Sequence, residues 1–179
     1  MKTRLVPVLL LVLIITMATG CPLRRAQPAP PPPAPPAPPE HSVTVYYGDR
    51  GAEFLLPEQR KITVPEGQNL LALAAAELLL DPTTPDAVRL IPPETEILGV
   101  SAENNIITID FNEKLRDNFA GGSSSEALLI ASVVNTLTGI EGYKDYRVRF
   151  LLNGQTFESI GGHIFADELF ERNETLIRN

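Results

Sequence analysis

Gly121-Gly122-Ser123-Ser124-Ser125-Glu126-Ala127-Leu128-Leu129-Ile130-Ala131-Ser132-Val133-Val134-Asn135-Thr136-Leu137-Thr138-Gly139 is the stretch on which the fold turns. Two glycines lead into Ser123, and Glu126 follows three places later. That spacing predicts a capping box: the Ser123 hydroxyl accepts an orphan amide of the first turn, and the Glu126 carboxylate reaches back to the cap amide. Ala127, Ile130, Ala131, Val134 and Leu137 then recur at helical spacing through to Gly139. A helix apolar along one side must lie on a matching apolar surface.

The flanking sequence supplies that surface. Val43-Thr44-Val45-Tyr46-Tyr47 alternates and ends at Gly48-Asp49, so it reads as a strand. A second short strand is expected over Glu53–Leu56 or over Arg60–Val64. Leucines and alanines dominate 68–80, and Asp81-Pro82 closes this second helix. Ile97–Val100 and Ile106–Phe111 flank Glu103-Asn104-Asn105 as a hairpin, with Ile107, Ile109 and Phe111 on one face. In the last strand Tyr146, Val148, Phe150 and Leu152 share a face, Arg147 and Arg149 share the other, and Asn153-Gly154 turns the chain. The order is βαββαβ. It predicts an α+β two-layer sandwich, a mixed sheet with both helices on one face and the other face open to solvent or a partner.

Ahead of this domain the chain reads differently. Lys2 and Arg4 precede an apolar run over 5–15, and small residues over 16–20 lead to Cys21, the only cysteine. Residues 1–20 are therefore expected to be a signal peptide. Ala18-Thr19-Gly20-Cys21 resembles a lipobox, with Ala18 where a larger aliphatic residue is usual, so Cys21 is the expected lipid attachment site. Several acyl chains on one cysteine hold a protein to a bilayer where one chain does not, because each buried CH₂ contributes about 0.8 kcal/mol. The alternative is a secreted chain with a loose thiol. Pro28–Pro39 contains only proline and alanine. Proline lacks the amide that helices and sheets need, so residues 21–40 form a linker. An extended spacer of about 3.1 Å per residue has a reach on the order of 35–40 Å. Residues 41–179 are the domain.

Charge sharpens the division. Four of the 15 basic residues lie before residue 26, while all 22 acidic ones lie from Glu40 onward, so the remainder carries a formal −11. Nucleic acid, whose binding needs neutralised phosphates, is excluded as a partner, and anionic lipid surfaces repel the domain.

In order along the chain, Thr44-Val45-Tyr46-Tyr47, Leu73-Ala74-Ala75-Ala76-Glu77-Leu78-Leu79, Ile91-Pro92, Thr95 and Leu98-Gly99-Val100 resemble the GerMN domain family. So do Ile109-Asp110-Phe111, Asn118-Phe119-Ala120-Gly121-Gly122-Ser123 with Glu126, Val134-Asn135-Thr136-Leu137-Thr138, Asn153-Gly154 and Gly161-Gly162-His163-Ile164. The resemblance spans nearly all of the domain. It implies a bacterial extracytoplasmic module, often on a lipoprotein, with a fold similar to ring-building motifs and a role in binding or assembly. It implies no enzymatic activity and no cofactor.

The residues themselves offer few sites. Nucleophilic catalysis needs a base beside the nucleophile, and Ser123, Ser124 or Ser125 with His163 and Asp167 is the one triad that can be drawn. The capping pattern already accounts for Ser123. Asp110, Glu113 and Asp117 offer carboxylates for glycan hydrolysis, against the plainer reading of acidic solvated surface. Zinc wants His and Cys at short spacings and calcium an oxygen-rich loop; the sequence has neither, so no metal is expected. Gly121, Gly122 and Ser123 at a helix start are the candidate anion site, with Glu126 competing for the same positive end. Gly162 and His163 are a second candidate, against a tight turn with a hydrogen-bonded histidine.

Between Glu126 and Glu141 there is no charge, although solvated helices usually carry charges outside. Leu128, Ser132, Asn135 and Thr136 are therefore a candidate interaction face. It is covered either by a partner or a second copy, or by the chain's own C-terminal segment with Ile164, Phe165, Leu169 and Phe170. The resulting expectation is an envelope lipoprotein, anchored outside the membrane through Cys21, that binds or assembles with an envelope protein or with itself. The runner-up is a module that binds or modifies peptidoglycan, with cell-wall glycan as its ligand.

Overall fold

The computed structural model describes residues 38–178. The expected signal peptide, Cys21 and nearly all of the proline–alanine run lie outside the described residues. Strand β1 (Glu40–Asp49) turns back into β2 (Leu55–Thr63), and α1 (Leu70–Glu77) follows. A two-residue β3 (Ala87–Val88) precedes the hairpin of β4 (Ile97–Glu103) and β5 (Ile106–Phe111). One turn of helix, α2 (Lys114–Asp117), leads to α3 (Ser123–Thr138), then β6 (Arg147–Leu152) and a 3₁₀ turn at Glu174–Leu176.

The fold is α+β, and its strands divide into two three-stranded sheets, β2-β1-β3 and β4-β5-β6. The second is the mixed sheet: β4 pairs antiparallel with β5, and β5 pairs parallel with β6. Its inner face is Ile107, Ile109, Phe111, Val148, Phe150 and Leu152, which share one core with Leu71, Ala74, Ala75 and Leu78 around α1 and with Leu129, Val133, Val134 and Leu137 of α3. The expected single sheet is thus a correction. The short strand expected over Glu53–Leu56 or over Arg60–Val64 is a longer one, β2, that overlaps both places, and it closes a long hairpin on β1 rather than joining the mixed sheet.

Turn chemistry fixes the registers. Asn104 and Asn105 both adopt positive φ (51° and 60°), the two-residue hairpin geometry that joins right-twisted strands. Asn153 (48°) and Gly154 (75°) repeat it after β6, where Leu152 and Gln155 exchange amide–carbonyl bonds of 2.9 and 3.0 Å. Asp110 Oδ1 accepts the Gly154 amide at 2.9 Å and tethers that turn to β5.

Candidate functional site

Twelve of the sixteen residues of α3 are buried, so it is wrapped by the domain rather than laid on its surface. Gly122 is its cap residue, no side chain caps it, and Ser123 is the first helical position. The expected capping box is therefore not formed. Glu126 is 0 % exposed and turns inward. Its Oε1 accepts the amides of Ile160 (3.0 Å) and Gly161 (2.8 Å), and its Oε2 accepts the amide of His163 (3.0 Å). A buried carboxylate needs several strong donors, and three amides of a looping chain satisfy it better than one amide of its own helix. Two separate sequence candidates, Glu126 and Gly162-His163, are thus brought together as a staple.

Phe119 explains the glycines around it. A Cβ on Gly161 would stand 2.5 Å from Phe119 Cε1, and one on Gly121 would stand 2.7 Å from Phe119 Cζ and 2.5 Å from Ser125 Cβ. The ring lies between two bare backbones. Gly162 has φ +86°, which favours glycine, and it releases the chain so that the His163 amide meets Glu126. The His163 ring is on the exposed side of the loop, beside a hollow of about 180 Å³ that Phe165, 65 % exposed, also lines.

The candidate interaction face on α3 is covered by the chain itself. Leu128, Ser132, Asn135 and Thr136 are each at most 2 % exposed. Tyr46 stands opposite Pro57 in the β1–β2 ladder, and its amide and carbonyl point to the other edge of β1. There Thr136 Oγ1 accepts the Tyr46 amide at 3.1 Å, and Ser132 Oγ donates to the Tyr46 carbonyl. Two hydroxyls one turn apart replace a neighbouring strand. Asn135 binds the C-terminal segment, donating to the Asn173 carbonyl (2.8 Å) and accepting the Asn173 amide (2.9 Å). Arg172 donates to the Asn135 carbonyl (2.7 Å) and to the Tyr46 hydroxyl (3.1 Å). Leu176 and Ile177 pack on a small cluster of Tyr46, Leu55, Leu128 and Ala131. The sequence signal for this latch is Asn173-Glu174-Thr175, an Asx-type turn in which Asn173 Oδ1 accepts the Thr175 amide at 3.0 Å.

The acidic candidates are also engaged. Asp110 holds the Gly154 turn, Glu113 accepts from Asn153 Nδ2 at 2.9 Å, and Asp117 pairs with Arg116 at 3.0 Å. Among the described residues, no hydrogen bond links Ser123, Ser124 or Ser125 to His163, and no three His, Cys, Asp or Glu side chains are grouped to hold a metal. An open groove of about 770 Å³ runs past Arg50, Arg89, Pro92, Asn118, Gly121 and Ser125. Its walls are pinned: Arg50 donates to the Pro85 carbonyl (2.9 Å), Arg89 to the Leu79 carbonyl (2.9 Å), and Asn118 to the Pro93 carbonyl (2.8 Å). One anchor beside it had no sequence signal: Glu58, on β2, accepts the amides of Thr83 (2.8 Å) and Thr84 (2.9 Å) and the Thr84 hydroxyl (3.0 Å).

Three solved structures share this architecture. The chain is similar to a candidate lipoprotein of Clostridium perfringens at 17 % identity and TM-score 0.52, covering 74 % of this chain and 87 % of that one. It is similar to the tandem GerMN domains of the Bacillus subtilis sporulation protein GerM at 15 % identity and TM-score 0.57, covering 73 % of this chain and 46 % of that one. The first GerMN domain of GerM alone gives 16 % and 0.51, with 72 % and 97 % covered. A search of curated proteins gave no match. Residues 44–158 match the family called Germane, described as sporulation and spore germination, and on that match this chain belongs to the Germane family of GerMN domains.

Proposed function

We propose that this chain is an exported lipoprotein, attached to the membrane through Cys21 and spaced from it by residues 22–39. In this reading its GerMN domain is a non-catalytic binding or assembly module of the cell envelope, acting in sporulation or germination. The observation that carries the reading is the use of the polar candidate residues. Glu126, Ser132, Asn135 and Thr136 are buried, Asp110 lies on the outer face of β5, and all five commit hydrogen bonds to the backbone of the fold. Reactive groups have to be free to meet substrate, and groups so engaged serve instead to hold a surface in shape. The signal-like leader, the cysteine after Ala18-Thr19-Gly20 and the similarity to a candidate clostridial lipoprotein support the anchor.

The test has two parts. Metabolic labelling with a clickable fatty acid should mark the parent chain and leave Cys21→Ala unlabelled; labelling of both removes the anchor assignment. Cross-linking in intact source cells should then attach a protein at fixed stoichiometry. Recovery of wall glycopeptides alone, with turnover of wall fragments, would replace this reading by the peptidoglycan one.

A further inference from the structure

The sheet edges are treated unequally. In the β4–β5 hairpin, Glu103 and Ile106 flank a two-residue turn and exchange hydrogen bonds, as do Ser101 and Thr108 by alternation. The amides and carbonyls of Val100 and Ala102 therefore point away from β5. The other edges are partly engaged or guarded. On β6, the outward groups of Val148 pair with Phe170 (2.8 and 2.9 Å) and those of Leu152 with Gln155. On β2, Leu55 accepts from the Arg178 amide at 2.9 Å, Pro57 has no amide, and Glu58, Arg60 and Lys61 add charge. On β1, Tyr46 is closed by α3, and Gly48 pairs with Val88. Among the described residues, nothing bonds the outward groups of Val100 and Ala102.

Edge strands are usually guarded by proline, charge or a cover, because an open one recruits another strand. β4 reads Ile97-Leu98-Gly99-Val100-Ser101-Ala102-Glu103, with one charge at its far end. A bulge at Leu98 ends the register there, since Ile97 faces Phe111 and Gly99 faces Asp110. This leaves residues 99–103 open and turns Leu98 out, 51 % exposed. Glu94 and Glu96 at one end of the edge and Glu103 at the other are exposed, and none is in an ion pair among the described residues.

We infer that β4 is a docking edge for an extended protein segment, apolar in its centre and basic at its ends, which pairs with residues 99–103. This rests on the reading of the domain as a binding module and names the surface and the partner's chemistry. A second copy is the poorer occupant: it would bring three more carboxylates to an edge that has three already, in a domain of net −11. A basic segment neutralises them. Main-chain bonds supply the affinity and the flanking charges the selection.

The probe is a synthetic heptapeptide, Lys-Val-Thr-Val-Thr-Val-Lys, added to the full chain in detergent micelles. Amide exchange at Val100 and Ala102 should slow by about tenfold when the free peptide is ten times its Kd. The effect should vanish with glutamate in place of lysine in the peptide. It should also vanish in Ala102→Pro, which removes an outward donor and no β4–β5 bond, and in Ser101→Lys, which adds a guarding charge. Unchanged exchange, or equal binding of the glutamate peptide, overturns the inference. So does protection produced by concentrating the protein alone, which makes the occupant a second copy. In cells, loss of the cross-linked partner in Ala102→Pro supports the edge. A partner retained there overturns the edge and leaves the binding module standing, whereas no partner in the parent chain removes the binding module itself.

Discussion

Glu126 and Gly161 lie thirty-five residues apart and are joined by a hydrogen bond of 2.8 Å from the Gly161 amide to a carboxylate with no solvent exposure. With Ile160 and His163 sharing the same carboxylate, the first turn of α3 becomes the floor of the 160–163 loop. Glu126→Ala strands three amides. Leaving buried donors unpaired costs about 1–3 kcal/mol each before relaxation, so a loss of roughly 3 kcal/mol is expected, with Glu126→Gln nearer 1–2 kcal/mol because one acceptor oxygen survives. Urea denaturation gives the totals, and amide exchange at Ile160, Gly161 and His163 localises them. An alanine variant as stable as the parent, with those amides still protected, would remove the staple from the account.

The Phe119 ring makes its own prediction. Gly161→Ala and Gly121→Ala each place a methyl group inside the contact distance of the ring, and overpacking of this kind costs about 1–3 kcal/mol. Gly122 is the control: a Cβ there would have nothing within 4 Å, and its φ is −98°. Gly122→Ala should lower the thermal midpoint less than either of the other two, because it forfeits only the better cap residue of α3. Adding Phe119→Leu should recover part of the Gly161→Ala loss, as residues in contact are not additive. Equal costs at all three glycines would show that chain entropy, not the ring, sets the requirement.

Much of this architecture is legible because it is local. Alternation in 106–111 and 146–152, the apolar spacing of 127–137, and the Asn104-Asn105 and Asn153-Gly154 turns all act over a few residues, and each element stands where these features place it. The partner of Glu126 is not legible. A serine three places before a glutamate fits a capping box equally well whether the carboxylate turns back or inward, and the outcome depends on amides that arrive 34 to 37 residues later. The uncharged face of α3 is covered, as its lack of charge implies, and the chain's own C-terminal segment is one of its two covers. That β1 is the other cover follows from the unpaired groups of Tyr46, which no periodicity reveals. The Glu58 anchor leaves no trace because its donors are backbone amides in a loop.

Glu58 sets an acid limit on the fold. Burial pushes its carboxyl up, but the Thr84 and Thr83 donors outweigh this and hold it below the ordinary glutamate range. A carboxyl depressed on folding stabilises above its unfolded value, and that contribution is lost as pH falls through the folded value. Stability should therefore be level near neutrality and decline below about pH 4.3, the ordinary glutamate value. Asp49, held low by the Phe54 amide against a smaller opposing effect of burial, adds to the same decline. Urea midpoints from pH 7 to pH 3 should fall less steeply in Glu58→Gln than in the parent. Parallel curves for the two proteins would exclude Glu58 as a source of the acid sensitivity.

Ser132 and Thr136 close the edge of β1, so their removal is expected to be felt in the sheet. Thr136→Val keeps the shape and leaves the Tyr46 amide unpaired, at about 1–3 kcal/mol. Ser132→Ala leaves the Tyr46 carbonyl unpaired at a similar cost. Charged replacements at these positions, Ser132→Lys with Thr136→Glu, should abolish folding outright, since both sites are buried. Circular dichroism and denaturation read all three variants. A soluble, cooperatively folded double variant would mean that this face of α3 is open to solvent, and the partner interpretation of it would return.

The family match ends at residue 158, yet the fold does not. A chain stopped there loses all three donors to Glu126, the Phe170 bonds that close β6, the Asn173 pair on Asn135 and the Arg178 bond to Leu55. It also uncovers Leu128 and Ala131 where Leu176 and Ile177 now pack. An unpaired buried carboxylate alone is strongly destabilising, by about 3–5 kcal/mol, a large share of the 5–15 kcal/mol that holds a typical domain together. The shortened chain should therefore lack a cooperative thermal transition and self-associate in sedimentation, while one ending at residue 178 melts as the parent does. Adding Glu126→Leu to the shortened chain should recover some secondary structure, because it removes the stranded charge without restoring the covering segment. A cooperative transition in the shortened chain at the parent's midpoint would show that residues 159–178 are an appendage, and that Glu126 is satisfied by water rather than by the loop.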